Sequence, residues 1–101
     1  MSVNPVVSRL IEAINSGDRE GFLATLTPNA TLSDDGTQRK LTDWIDREIF
    51  TANGHFTLQD ADEDGLSMRV RFRNDTWGEM STYWRFEVTG DKISKIETGQ
   101  A

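Results

Sequence analysis

Asp34 and His55 are the residues of this sequence best suited to move a proton. Ala30-Thr31-Leu32-Ser33-Asp34 reads as a short strand in which Asp34 shares parity with Ala30 and Leu32, so its carboxylate points to the buried side. A carboxylate facing an apolar cavity has its pKa raised and can exchange protons near neutral pH. Asp34-Asp35-Gly36 has equally the composition of a solvated, Asx-capped turn, and both readings stand. His55 is the one histidine of the chain, and so the one side chain whose ordinary pKa lies near neutrality. It follows Gly54 at a helix-to-strand junction, where a lone histidine also serves as a surface or hydrogen-bonded structural group.

Two further groups of side chains can make a binding surface. Trp44, Met68, Phe72, Met80, Thr82, Trp84 and Phe86 fall on faces that should meet inside the fold, either lining a pocket for a flat apolar molecule or filling the core. Arg69, Arg71, Arg73, Trp77, Glu79, Tyr83, Arg85 and Glu87 fall on the opposite sheet face. Arginine with aromatics is the composition of an interface and predicts a homodimer there; cross-strand Arg–Glu pairs on a solvated face are the alternative. The acidic run Asp60-Asp62-Glu63-Asp64-Gly65 lacks the closing glutamate of a calcium loop and reads as a turn. With one histidine and no cysteine, thiol chemistry and thiolate metal sites are excluded, and neither a metal nor a cofactor is expected.

The elements that must position these groups follow from periodicity. Asn4 caps and Pro5 opens a helix whose Val6, Val7, Leu10, Ile11 and Ile14 recur at helical spacing, and Asn15-Ser16-Gly17 stops it. Asp18 caps a second helix with Phe22, Leu23 and Leu26, predicted to end at Thr27-Pro28. A third helix is predicted over about Leu41 to Ala52, burying Leu41, Trp44, Ile45, Ile49 and Phe50 and ending at Asn53-Gly54. From residue 55 the period becomes two: Phe56 and Leu58; then Leu66, Met68, Val70 and Phe72; then about Thr76 to Val88; then Ile93 to Thr98. Helices followed by a meander predict an α+β domain spanning 1–101, with three N-terminal helices packed on a strongly curved antiparallel sheet.

The run Ala13-Ile14-Asn15-Ser16-Gly17-Asp18, then Phe22, then Pro28-Asn29-Ala30-Thr31, resembles the opening of SnoaL-like and ketosteroid isomerase-like members of the nuclear transport factor 2-like superfamily. Tyr83-Trp84-Arg85-Phe86 and Gly90-Asp91-Lys92-Ile93 resemble the last hairpin of those proteins. The resemblance implies a cone with a pocket at its open end, and pairing through the outer sheet face. It also implies that Asp34 stands where isomerase-like members carry the general base, and that His55 pairs with it as in dehydratase-type relatives; Tyr83 is the other candidate assistant in an enzyme of isomerase, dehydratase or cyclase type. Leu10 and Thr82 stand where those members carry the tyrosine and protonated acid of the oxyanion hole, so steroid isomerase activity is not expected. Isomerases, dehydratases, cyclases, adaptors and proteins of no assigned activity share this scaffold, so the resemblance fixes no reaction.

Charge narrows the partners. The net charge of −6 opposes binding to nucleic acid or anionic lipid. Residues 1–64 carry twelve acids against five bases, residues 65–101 five against six, which leans toward a neutral or cationic ligand. Met1-Ser2-Val3-Asn4-Pro5 lacks the basic and apolar stretches of a signal peptide, and no apolar run is long enough to span a bilayer. A cytoplasmic location is expected, which makes the glycosylation triplets Asn29-Ala30-Thr31 and Asn74-Asp75-Thr76 chance matches. The leading reading is a domain that binds a small apolar or aromatic molecule. An enzyme using Asp34 as base and a protein-interaction module are the alternatives.

Overall fold

The computed structural model describes residues 3–101; of the N-terminal run, Met1 and Ser2 lie outside the described residues. Helix α1 (Pro5–Ser16) begins as its sequence dictates: Asn4 Oδ1 accepts the Val6 N–H at 3.0 Å, and Pro5 occupies the first turn. It ends on Gly17, whose φ of 70° lets its N–H reach back to the carbonyls of Ala13 and Ile14. Val6, Val7, Leu10, Ala13 and Ile14 form its buried stripe. Helix α2 (Arg19–Ala24) is capped by Asp18 and buries Phe22. It stops three residues short of the predicted end. The Thr25 hydroxyl bonds back to the Phe22 carbonyl at 2.7 Å, and the Thr25 carbonyl accepts from Ile93 N–H at 2.8 Å, which draws the chain into the sheet.

Strand β1 (Leu26–Asp34) is therefore longer than expected, and Pro28 lies inside it. Its register against the last strand shifts between Leu26 and Thr31, an irregularity that spares Pro28 the N–H it cannot supply. Asp35 (φ 50°) and Gly36 (φ 81°) form a two-residue hairpin loop into β2 (Thr37–Arg39). Asp-Gly is among the strongest short hairpin signals, and β2 is the strand beyond the expected turn.

The third helix also departs from expectation. Helix α3 (Leu41–Ile45) continues as a π-helical turn (Asp46–Phe50) closed by Thr51 N–H to Asp46 carbonyl at 2.9 Å. The Thr51 hydroxyl bonds the same carbonyl at 2.7 Å and holds the wide turn open. Arg19 of α2 grips Asp46 at 2.6 Å, and the carboxylate raises the guanidinium pKa further above its already high value. At Gly54 a Cβ would meet the Ile49 Cα at 2.9 Å and the Phe72 ring at 3.0 Å, so no larger residue passes there.

Strands β3 (His55–Ala61), β4 (Ser67–Asn74), β5 (Gly78–Thr89) and β6 (Lys92–Gln100) complete a six-stranded sheet in the order β2-β1-β6-β5-β4-β3. The sheet is mixed, because β1 runs parallel to β6 while every other pair is antiparallel. Helices α1 and α2 precede β1, and α3 with its π-turn lies between β2 and β3, so β1 is separated from the β3–β6 meander and docks on its last strand. Register shifts in β1–β6, β3–β4 and β5–β6 bend the sheet over the helices. Asp60 and Ala61, expected in a turn, belong to β3, and the turn begins at Asp62. The free edge of β3 is blunted by Asn15, whose amide accepts Phe56 N–H at 2.7 Å and donates to Phe56 carbonyl at 3.0 Å.

One core fills the space between layers, with Leu10, Ile14, Phe22, Ile45, Ile49, Val70, Trp84, Ile93 and Ile96 almost fully buried. Alternation in β4 is complete: Met68, Val70, Phe72 and Asn74 are buried, while Arg69, Arg71 and Arg73 are exposed. No helix among the described residues is long and apolar enough to cross a membrane.

Candidate functional site

A recess of about 220 Å³ opens between the third helical segment, the β4–β5 turn and the ends of β1 and β6. Strand alternation places Phe72, Thr82, Trp84 and Thr98 on its floor, all buried, with half-buried Met80 beside them. Trp44 comes from α3, Glu48 from the π-turn, Trp77 from the β4–β5 turn, and Asp34 and Asp35 from the end of β1. All three tryptophans of the chain line this one recess.

Its polar groups are held by identifiable bonds. The indole N–H of Trp44 donates to Asp34 Oδ2 at 3.1 Å, and that of Trp77 donates to Glu48 Oε1 at 2.9 Å. Among the described residues no other hydrogen bond reaches the Asp34 carboxylate, which leaves its second oxygen available to a ligand. The Glu48 side chain is only 13% exposed, and its other oxygen lies 3.1 Å from Arg47 Nε. Asp35 Oδ1 accepts the backbone N–H of Gln100 at 3.0 Å. Asn74, 3% exposed, donates to the Glu48 carbonyl at 2.8 Å and accepts Trp77 N–H at 2.7 Å, bracing the π-turn against the β4–β5 turn.

The expected site residues divide. Trp44, Phe72, Met80, Thr82 and Trp84 come together around the recess. Met68 and Phe86 do not line it: Met68 is the cross-strand neighbour of Trp84, Phe86 stacks on the Trp84 ring at 6.2 Å, and both lie behind that ring in the core. Asp34 is in the recess, but His55 is not. His55 stands exposed at the start of β3, with Nδ1 3.0 Å from the Asn53 carbonyl, and lines a separate depression with Asn15, Asn53 and Gly54. The paired acid–base arrangement is therefore not assembled.

Thr82 is committed to structure, since its hydroxyl donates to Val70 carbonyl at 2.9 Å and accepts Trp84 Nε1–H at 3.1 Å. Leu10 is fully buried. Neither side chain presents a free hydrogen-bond donor to the recess.

Of the outward-face residues, Arg69, Arg71 and Arg85 are exposed on the sheet and Tyr83 is half-buried, with the Arg85 guanidinium 5.2 Å from its ring centre. Trp77 is not among them. The β4–β5 loop takes up Asp75, Thr76 and Trp77 before pairing resumes at Gly78, and this swings the indole from the sheet face to the recess mouth. Glu48, Asp35 and Gln100 were not anticipated. Glu48 had a signal: it lies four residues after Trp44 and so shares its helix face.

No protein-family model matches the sequence, and no curated protein matches it. Solved structures do match in shape. A nuclear transport factor 2-like protein of unknown function from Cytophaga hutchinsonii superposes with a TM-score of 0.76 at 10% identity, over 100% of this chain and 93% of that one. A Mycobacterium tuberculosis protein solved with estradiol-17beta-hemisuccinate gives a TM-score of 0.78 at 14% identity, over 93% and 89%. The Delta 5-3-ketosteroid isomerase of a Mycobacterium species gives 0.74 at 16% identity, over 95% and 90%. At these identities the likeness is one of architecture, and on it the chain has the fold of the nuclear transport factor 2-like superfamily.

Proposed function

We propose that this chain is a small-molecule-binding domain whose ligand occupies the recess walled by Trp44, Trp77, Trp84 and Phe72. The observation that carries the reading is the Asp34 carboxylate, held by one indole N–H at a solvent-open, aromatic-walled recess with an oxygen left over. The recess falls below the ~300–1,000 Å³ common for drug-sized ligands, so the ligand is smaller than a steroid, of one ring or a compact aliphatic body. Asp34 acting as a proton acceptor on such a ligand is the second reading, favoured by the same free oxygen.

Because every tryptophan lines the recess, intrinsic fluorescence reports binding without a label. Small aromatic and aliphatic compounds should change the emission saturably. A ligand at about 100 times its Kd should raise the Tm by ~10–20 °C, from ~2.7 kcal/mol of added stability at ~4–8 °C per kcal/mol. A broad panel that moves neither signal would count against a ligand site.

The outward sheet face supports a homodimer reading. Tyr83 under Arg85, with Arg69 and Arg71 alongside, offers directional contacts on the outward sheet face, and the ion pair Arg71–Glu79 at 3.6 Å is exposed enough to exchange partners. Light scattering should give twice the chain mass, and Arg85→Glu should return it to the monomer. A monomeric wild type would refute this pairing and leave the recess untouched. A chain without cysteine has no need of an oxidising compartment, which supports the reading of a cytoplasmic setting.

A further inference from the structure

The recess combines three carboxylates with four aromatic side chains and no basic residue: Asp34, Asp35 and Glu48 beside Trp44, Phe72, Trp77 and Trp84. The partners of these carboxylates decide what charge the recess offers. Asp34 and Asp35 are held by neutral donors, an indole N–H and a backbone N–H, which orient them without cancelling their charge. Glu48 alone has a cationic partner, Arg47, whose side chain is 61% exposed and which does not line the recess. Negative charge therefore remains uncompensated beside aromatic faces.

That pairing is the chemistry that recognises organic ammonium groups, in which tryptophan is the best of the cation–π partners and a carboxylate supplies the countercharge. We infer that the recess takes a small organic cation, an amine or quaternary ammonium bearing a compact apolar group. This deepens, and rests on, the reading of the recess as a ligand site. An anionic ligand would enter against the uncompensated charges of Asp34 and Asp35, with no base lining the recess to meet it. The net charge of −6 adds a long-range field that draws cations to the protein.

The test uses the full chain and three benzyl probes, the first two of one shape. These are benzyltrimethylammonium, its neutral carbon isostere neopentylbenzene, and the anion phenylacetate, titrated by tryptophan fluorescence and by calorimetry. The cation should bind at least about tenfold tighter than the isostere, and its affinity should fall as salt is raised. Asp34→Asn and Glu48→Gln each keep an acceptor for the neighbouring indole while removing the charge. Each should reduce the preference for cation over isostere several-fold, with folding checked by circular dichroism. Equal binding of the isostere, tighter binding of the anion, or an unchanged preference in both variants overturns the cation inference and leaves a neutral-ligand site in place. Failure of all three probes to bind overturns the ligand-site reading itself.

Discussion

Trp84→Ala should lower the Tm by at least ~12 °C, the largest effect expected of any single substitution here, from a cost of about 3–5 kcal/mol at ~4–8 °C per kcal/mol. Trp84 is 1% exposed and its ring is the hub of an aromatic cluster. Trp44, Phe56, Phe72 and Phe86 surround it at centroid distances of 6.1, 5.1, 6.0 and 6.2 Å, two of them edge-on. Truncation leaves a cavity bounded by these four rings, and each edge-on contact is worth ~0.5–1.5 kcal/mol beyond its area. It also removes the N–H that the Thr82 hydroxyl accepts, leaving that hydroxyl only its bond to the Val70 carbonyl. Trp77→Ala is the internal comparison, because Trp77 is 62% exposed. It should cost under about 1 kcal/mol, as surface changes do. Thermal denaturation of the two variants decides the matter. A loss below about 1 kcal/mol for Trp84→Ala would mean that the core closes over the gap and that this ring does not organise the recess.

The same ring marks the limit of what the sequence could say. Alternation along β4 and β5 put Phe72 and Trp84 inside and the arginines outside, because strand parity is a local property that survives any tertiary arrangement. The caps at Asn4 and Gly17 were legible for the same reason, since each acts within four residues of chain. Non-local pairing was invisible. Nothing near Leu32 announces that it runs parallel to Ile96, and so the ends of β1 and β6, which bring Asp34, Asp35 and Gln100 to one rim, could not be joined in advance. The π-turn was missed because Asp46–Phe50 has ordinary helical periodicity, and its extra residue is set by Thr51 bonding the Asp46 carbonyl. Parity misled at Trp77, because it was extended through a three-residue loop where the backbone turns.

Asn74→Ala should cost about 1–3 kcal/mol, since a buried side chain loses two hydrogen bonds, each worth ~0.5–1.5 kcal/mol net. The sequence offers Asn74 only as the start of a glycosylation triplet. In the structure it is 3% exposed and its Nδ2 is given to the Glu48 carbonyl, so no glycan can be attached without unfolding the turn. The bond replaces a partner that Glu48 lacks where the helix widens, while the Asn74 carbonyl oxygen fixes the Trp77 N–H from the other side. One side chain thus sets the spacing between the carboxylate and the indole it binds. Asn74→Asp separates the two bonds: it keeps an acceptor for Trp77 but turns a charged oxygen toward the Glu48 carbonyl. It should therefore destabilise nearly as much as alanine. Each variant should also shift the Trp77 contribution to the fluorescence toward that of a freely solvated indole. If Asn74→Ala unfolds within about 0.5 kcal/mol of wild type, water has replaced both bonds, and the recess mouth is held by the Trp77–Glu48 contact alone.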